Sequence, residues 1–281
     1  MGINMDLLRG DIKRIYFKYL SAAFGGAMIG SIYSFVDMIV VGQYHGPLGT
    51  AALAVFAPIW NILYSLGLLF GIGGAVIFSV VRGQRHDSDK ENGFFTVSLL
   101  SSSIIGIIIW IVFWVFDTEI LKIFGADTEL LPICMRYLQP IKFVIPVYIF
   151  SQLLSSFLRN DNDPVRATVA VLAGGGFNIF GDVFFVFGLD MGIFGAGLAT
   201  AAGNLITLAI LSTHFLSKKN TLRIVSVKWF RHKLFAIIQT GFATFFVDVA
   251  MGIVTMLRLQ CGAGVTADNF YEFRGSKIWT D

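Results

Sequence analysis

The sequence predicts an all-α polytopic membrane protein on three observations: an apolar composition, seven apolar stretches of spanning length, and Lys and Arg confined to alternate connections. Of 281 residues, 56% are hydrophobic and 14% charged. The mean hydropathy of +0.74 exceeds what a soluble domain of this size needs to fill its core. A helix needs about 20 apolar residues to cross the hydrocarbon layer, and more when tilted. Stretches near 16–41, 51–81, 94–116, 133–158, 167–189, 196–216 and 234–257 meet that length. The first follows Arg9, Lys13, Arg14 and Lys18. It is too long for a signal-peptide core and lacks a small-residue cleavage pattern, so it is expected as a retained span.

The connections justify the order of the spans. The N-terminal arm, the segment 82–92, the turn after the fourth stretch and the segment 217–233 carry fifteen Lys or Arg, whereas 42–50, 117–136 and 190–195 carry only Lys122 and Arg136. Cytoplasmic loops accumulate Lys and Arg, so this alternation predicts a cytoplasmic N-terminus, six spans in an even block, and a seventh leaving the cytoplasm again. The resulting division is a six-helix lobe over 1–216, a basic cytoplasmic linker over 217–233, a further helix over 234–257, and a polar tail over 258–281 expected to be disordered. Glycines recur within the spans, at Gly71, Gly73, Gly74, Gly174 to Gly176, Gly181, Gly192, Gly195 and Gly197. In lipid, where helices gain little hydrophobic drive to associate, small residues let backbones approach.

Several function classes are excluded. Cys134 and Cys261 give neither a disulfide framework nor a metal-binding spacing, and nucleic acid is not an expected partner. The GIGGAV run at Gly71 lies inside an apolar span, without the strand and helix of a dinucleotide site. His45, His86, His214 and His232 fall in loops or at span ends, away from any nucleophile or metal-ligand set. No catalytic, cofactor or metal site is predicted, and the chain is not expected to be an enzyme.

An ionisable side chain in the bilayer core costs at least about 2.5 kcal/mol, so those present usually face a cavity or a partner and serve function. Asp37, in SFVDMIVVGQ, lies in the outer half of the first span or, alternatively, at its solvated end. Asn178 and Asp182, in GGGFNIFGDVFFVFG, are four apart and so share one face of the fifth span, at a depth matching Asp37. Carboxylates at one depth of one bundle would titrate as a pair and share a proton; a plain interhelical hydrogen bond is the other reading of Asn178 and Asp182. Asp248, midway along the seventh span, would face whatever packs there. Lys142 could snorkel to the interface or pair with Asp182.

Three segments together resemble the multidrug and toxic compound extrusion (MATE) family of secondary transporters: VDMIVVGQYHGPLGTAALAVFAPIW, the RNDNDP turn, and NIFGD followed by GIFGAGLATAAGN. The similarity covers roughly residues 10–257. It implies a six-helix N-terminal lobe plus one transmembrane helix of the second lobe, which is otherwise mostly absent, a multi-pass plasma-membrane location, and efflux of small drug-like molecules, organic and cationic or amphipathic, against a proton or sodium coupling ion. In the proton-coupled branch the N-terminal coupling site corresponds to Asp37, Asn178, Asp182 and Thr200, with Asp248 as a possible second-lobe site; no further cofactor is implied. A lipid-linked sugar flippase of the wider superfamily, or a transporter fragment without activity, are the alternatives. The chain departs from the family pattern at Ala22, where a kink-permitting proline is common, at Lys142, and after Leu257, where a truncated or frame-shifted reading frame would account for the polar tail.

Overall fold

A computed structural model of the protein describes the backbone of residues 12–85 and 88–275. Among the described residues every regular element is helical. The first, α1 (Ile12–Arg85), is two limbs folded at Gly46, whose φ of 66° and ψ of −153° lie outside helical space. The sequence HGPLG explains the break. Glycine accepts a positive φ without penalty, and Pro47, lacking an N–H, suits the first turn of the second limb. The chain reverses so tightly that a Cβ added at Gly42 would lie 2.8 Å from Thr50 Cγ2, and one at Gly49 would lie 2.8 Å from the Val41 carbonyl oxygen.

Helix α2 (Ser88–Val115) opens with Asp89 and Glu91, which complement its N-terminal dipole. After it come the short α3 (Asp117–Ile123) and then α4 (Leu131–Lys142) and α5 (Ile145–Asn160), which meet at 57°. Pro146 causes this bend: its ring clashes with the carbonyl four residues back, on Lys142, where α4 ends. Helix α6 (Pro164–Val183) begins at another proline, after Asn162 turns the chain at φ 60°, and widens into a π turn over Phe184–Gly188. Helix α7 (Gly192–Ser212) follows, and α8 (Phe230–Gly275) comes after an irregular connection. α8 remains helical through Gly275, and residues 276–281 of the polar tail lie outside the described residues.

Among the described residues five helices are long and apolar enough to cross a membrane, and the bent pair α4 and α5 makes a sixth. Dividing α1 at Gly46 aligns a helix with each of the seven stretches. Large apolar side chains such as Ile104, Ile107, Ile108 and Ile111 on α2 point outward, as expected of a surface bathed in acyl chains. Inside, two apolar clusters stack along the bundle. One joins Val41, Phe56, Tyr137, Ile145 and Ile193, and the other joins Phe78, Phe95, Phe157, Leu211 and Ile237. Close approach of small residues brings the helices together: a Cβ at Gly181 of α6 would sit 2.9 Å from that of Ala199 on α7, and one at Gly67 of α1 2.9 Å from the Ile149 carbonyl of α5.

A polar network closes the end of the bundle that carries the basic connections. His214 is fully buried between two carboxylates, with Nε2 2.8 Å from Asp161 Oδ2 and Nδ1 3.3 Å from Asp163 Oδ2. Asp161 also accepts from Arg82 at 3.1 Å, from the Thr221 amide at 2.9 Å and from the Thr221 hydroxyl. Burial pushes the Asp161 carboxyl up, but the hydrogen bonds from His214 and Thr221 and the Arg82 charge outweigh it and hold it below the usual value.

Candidate functional site

Span packing brings four of the five candidate residues into one group. Asp37, on the first limb of α1, is 8% exposed although it lies in an apolar run. It receives a hydrogen bond at 3.4 Å from the hydroxyl of Tyr137, on α4. Its other oxygen, Oδ1, has no hydrogen-bond partner among the described residues. On α6, Asn178 and Asp182 stack one turn apart, as their spacing predicts. Asn178 Nδ2 donates to Thr200 Oγ1 on α7 at 3.1 Å, so α6 and α7 are joined at this level. Both oxygens of Asp182 and the Asn178 amide oxygen are buried and, among the described residues, have no hydrogen-bond partner. Asp182 is close enough to Asp37 for the two charges to interact directly, and both act on Tyr137.

Small neighbours let these polar groups meet. Gly203 of α7 faces Asn178, where an added Cβ would lie 3.4 Å from the Asn178 Cβ, and the Gly181 and Ala199 contact brackets the group on the other side. Two residues past Asp182 the helix opens into the π turn at Phe184, a form found often at functional sites. Tyr137 is the residue that sequence reasoning missed. It is 2% exposed, and a Tyr hydroxyl buried in an apolar span needs a partner, which was the available signal.

The other ionisable groups sit elsewhere. Lys142 forms an ion pair with Asp117 and lies 5.0 Å from the Trp114 ring centroid, so it serves the junction of α2, α3 and α4 rather than Asp182. Burial raises Asp117, but its hydrogen bonds with Lys142 and Thr118 and the Lys142 charge leave the carboxyl below its usual value. Asp248, on α8, has a buried Oδ2 without a partner and lies near Tyr64 of α1; among the described residues no hydrogen bond or ion pair joins it to the Asp37 group. Tyr44 donates to Asp190 at 2.5 Å and the Ile193 amide to His45 at 3.1 Å, which clasps the Gly46 fold onto the start of α7.

The group is thus a pair of buried carboxyls with unsatisfied oxygens, lined by a hydroxyl and an amide. The multidrug export protein MepA of Staphylococcus saprophyticus is 29% identical over 259 residues, which is 87% of this chain and 57% of that protein. MepA of Staphylococcus aureus is 26% identical over 234 residues, 83% of this chain and 52% of that one. Among solved structures, a MATE protein in complex with MaD3S superposes with a TM-score of 0.78 at 25% identity, over 88% of this chain and 56% of that one. A MOP-superfamily transporter from Pyrococcus furiosus, described as having a binding pocket of reversed polarity, superposes with a TM-score of 0.73 at 25% identity, over 88% and 55%. The chain spans about half the length of the curated relatives it matches. The MatE family model matches residues 23–184, more than half of the chain and a segment that includes Asp37, Tyr137, Asn178 and Asp182, so the chain belongs to the MatE family.

Proposed function

We propose that the chain acts in multidrug efflux, exchanging organic cationic or amphipathic small molecules for protons or sodium, with Asp37, Asn178, Asp182 and Thr200 as the coupling site. The observation that carries the proposal is that three of the four oxygens of two buried carboxylates have no partner. A proton, a sodium ion or a cationic cargo would each supply the positive charge these oxygens lack, and only one can do so at a time. Binding of one then weakens the other, which is what exchange requires. Tyr137 and Thr200 act as positioning residues, joining α4 and α7 to the carboxylates so that a change of charge is felt by several helices. The same reading places the basic connections on the cytoplasmic side of the plasma membrane. It assigns 1–216 to the N-terminal lobe, 234–257 to the first helix of a second lobe, and Asp248 to a further site there.

Ethidium efflux from cells lacking their own pumps tests the proposal with the 281-residue chain itself. Export above the vector control, lost in Asp37→Asn, is expected. Export unchanged by Asp37→Asn would refute the site, and no export at all would refute activity in this chain.

A further inference from the structure

Residues 217–229 leave the helical bundle without regular structure, yet one edge of them is stitched to it. The amides of Thr221, Arg223 and Val225 donate to Asp161 Oδ2 at 2.9 Å, Asn92 Oδ1 at 2.8 Å and Thr96 Oγ1 at 3.0 Å. The two-residue interval is that of an extended strand presenting every second amide to one side. Leu222 is buried in the adjoining apolar cluster. The segment is therefore a fixed strip across the basic end of the bundle, not a loose tether.

Its outward side is neither wholly polar nor wholly apolar. Leu216, Ile224 and Trp229 are 90%, 73% and 82% exposed, among the exposed cations Lys218, Arg223, Lys228 and Arg231. Among the described residues none of these four cations forms an ion pair with a carboxylate. Water gives no reason to hold three large apolar groups outward while Leu222 is buried. A headgroup layer does, because it takes apolar side chains and Trp rings on one side and cations on the other. Trp229 adds an independent sign. Its φ of 63° is left-handed, an outlier for a bulky residue, and such strain concentrates at functional positions. The Lys233 amide donates to the Trp229 carbonyl at 3.1 Å, so this turn sends the strip into α8 and leaves the indole outside.

We propose that residues 215–231 form a docking strip for anionic phospholipid headgroups, with Arg223, Lys228 and Arg231 binding phosphate and Ile224 and Trp229 entering the acyl boundary. Charge complementarity selects this occupant, since cations on a membrane surface gain attraction to anionic lipid that zwitterionic lipid does not provide. The strip would then fix where α8 enters the bilayer. That the leaflet concerned is the cytoplasmic one rests on the orientation proposed above.

The test uses the purified full chain in detergent, with phosphatidylglycerol or phosphatidylcholine added and the lipids retained counted by native mass spectrometry. The expected result is preferential retention of phosphatidylglycerol, weakened about fivefold for each charge removed and abolished in the triple variant Arg223→Gln, Lys228→Gln, Arg231→Gln. A second measurement takes the difference in fluorescence between the parent chain and Trp229→Phe in vesicles of phosphatidylcholine and phosphatidylglycerol containing lipid brominated near the headgroup; quenching of that difference is expected. Equal retention of phosphatidylglycerol by the parent and the triple variant would overturn the proposal, as would a Trp229 signal quenched by acrylamide from water and not by the brominated lipid. Neither readout depends on orientation. Labelling of Ser226→Cys in whole cells by a membrane-impermeant maleimide, above the level of the parent chain, would overturn the leaflet assignment and leave lipid binding standing.

Discussion

The contact between α1 and α8 rests on two glycines that face each other, and this makes a quantitative prediction. A Cβ at Gly73 would collide with the Ile237 carbonyl oxygen and lie 3.1 Å from the Gly241 nitrogen. A Cβ at Gly241 would collide with the Leu69 carbonyl oxygen and lie 3.1 Å from the Leu69 Cα. All of these are backbone atoms, so no side-chain rotation relieves the clash and the helices must separate. A gap of about 0.5–1 Å forfeits a quarter to a half of each dispersion contact along the seam, and overpacking of this kind costs about 1–3 kcal/mol. Gly73→Ala and Gly241→Ala should each destabilise the protein by that amount. One separation relieves both clashes, so the double variant should cost less than the two together, by about 1 kcal/mol. Gly176→Ala is the control: nothing lies within 4 Å of its added Cβ, and removing a mid-helix glycine should be neutral or stabilising by about 0.5–1 kcal/mol. Reversible unfolding in mixed micelles, followed by circular dichroism, measures all four. If Gly73→Ala and Gly176→Ala behave alike, or the two seam substitutions add fully, the close α1–α8 contact is refuted.

Two further outcomes follow from the polar groups. Both oxygens of Asp182 are buried and unpartnered, so Asp182→Leu should stabilise the fold by about 1–3 kcal/mol in thermal unfolding while removing transport; a loss of stability would show that the carboxylate is held by partners after all. At the basic end, the Asp161 carboxyl is lowered in the folded protein, so the stability it contributes is complete above its unfolded value, 3.8, and is lost as pH falls through the lower folded value. Protection of the Thr221 and Arg223 amides from hydrogen exchange should therefore fall below about pH 4, and His214→Ala should lower it at neutral pH as well, because it deprives a buried carboxylate of a hydrogen bond worth about 1.5–3 kcal/mol. Protection that is insensitive to both would contradict the network.

The spans were legible because hydrocarbon thickness imposes a length, which is a property of contiguous residues. Asp37 and Asp182 stood out for the same reason, as charges that an apolar run must explain, and Asn178 followed from helical spacing. Thr200 came only from the family resemblance, because a Thr in an apolar helix bonds readily to its own backbone and signals little. Tyr137 was hidden in the same way, and its value lies in the bend at Pro146 that angles α4 against α5, within what hydropathy shows as one stretch near 133–158. Lys142 finds its partner in Asp117, 25 residues earlier, and the strip after α7 finds Asn92 and Thr96 about 130 residues earlier. Pairings at such separations leave no periodicity to read. The contacts of the linker at 217–233 were hidden for the same reason: its Thr221 and Arg223 amides are bound to Asp161 and Asn92.

In the proposed function one carboxylate group binds either cargo or a coupling cation. The most direct measurement is the release of ions when ethidium binds to the purified chain in weakly buffered detergent solution. Binding is expected to release protons, or to displace sodium where sodium is present, and Asp37→Asn and Asp182→Asn should each abolish the release. Ethidium binding of undiminished affinity that releases no proton and is indifferent to sodium would contradict the proposed function.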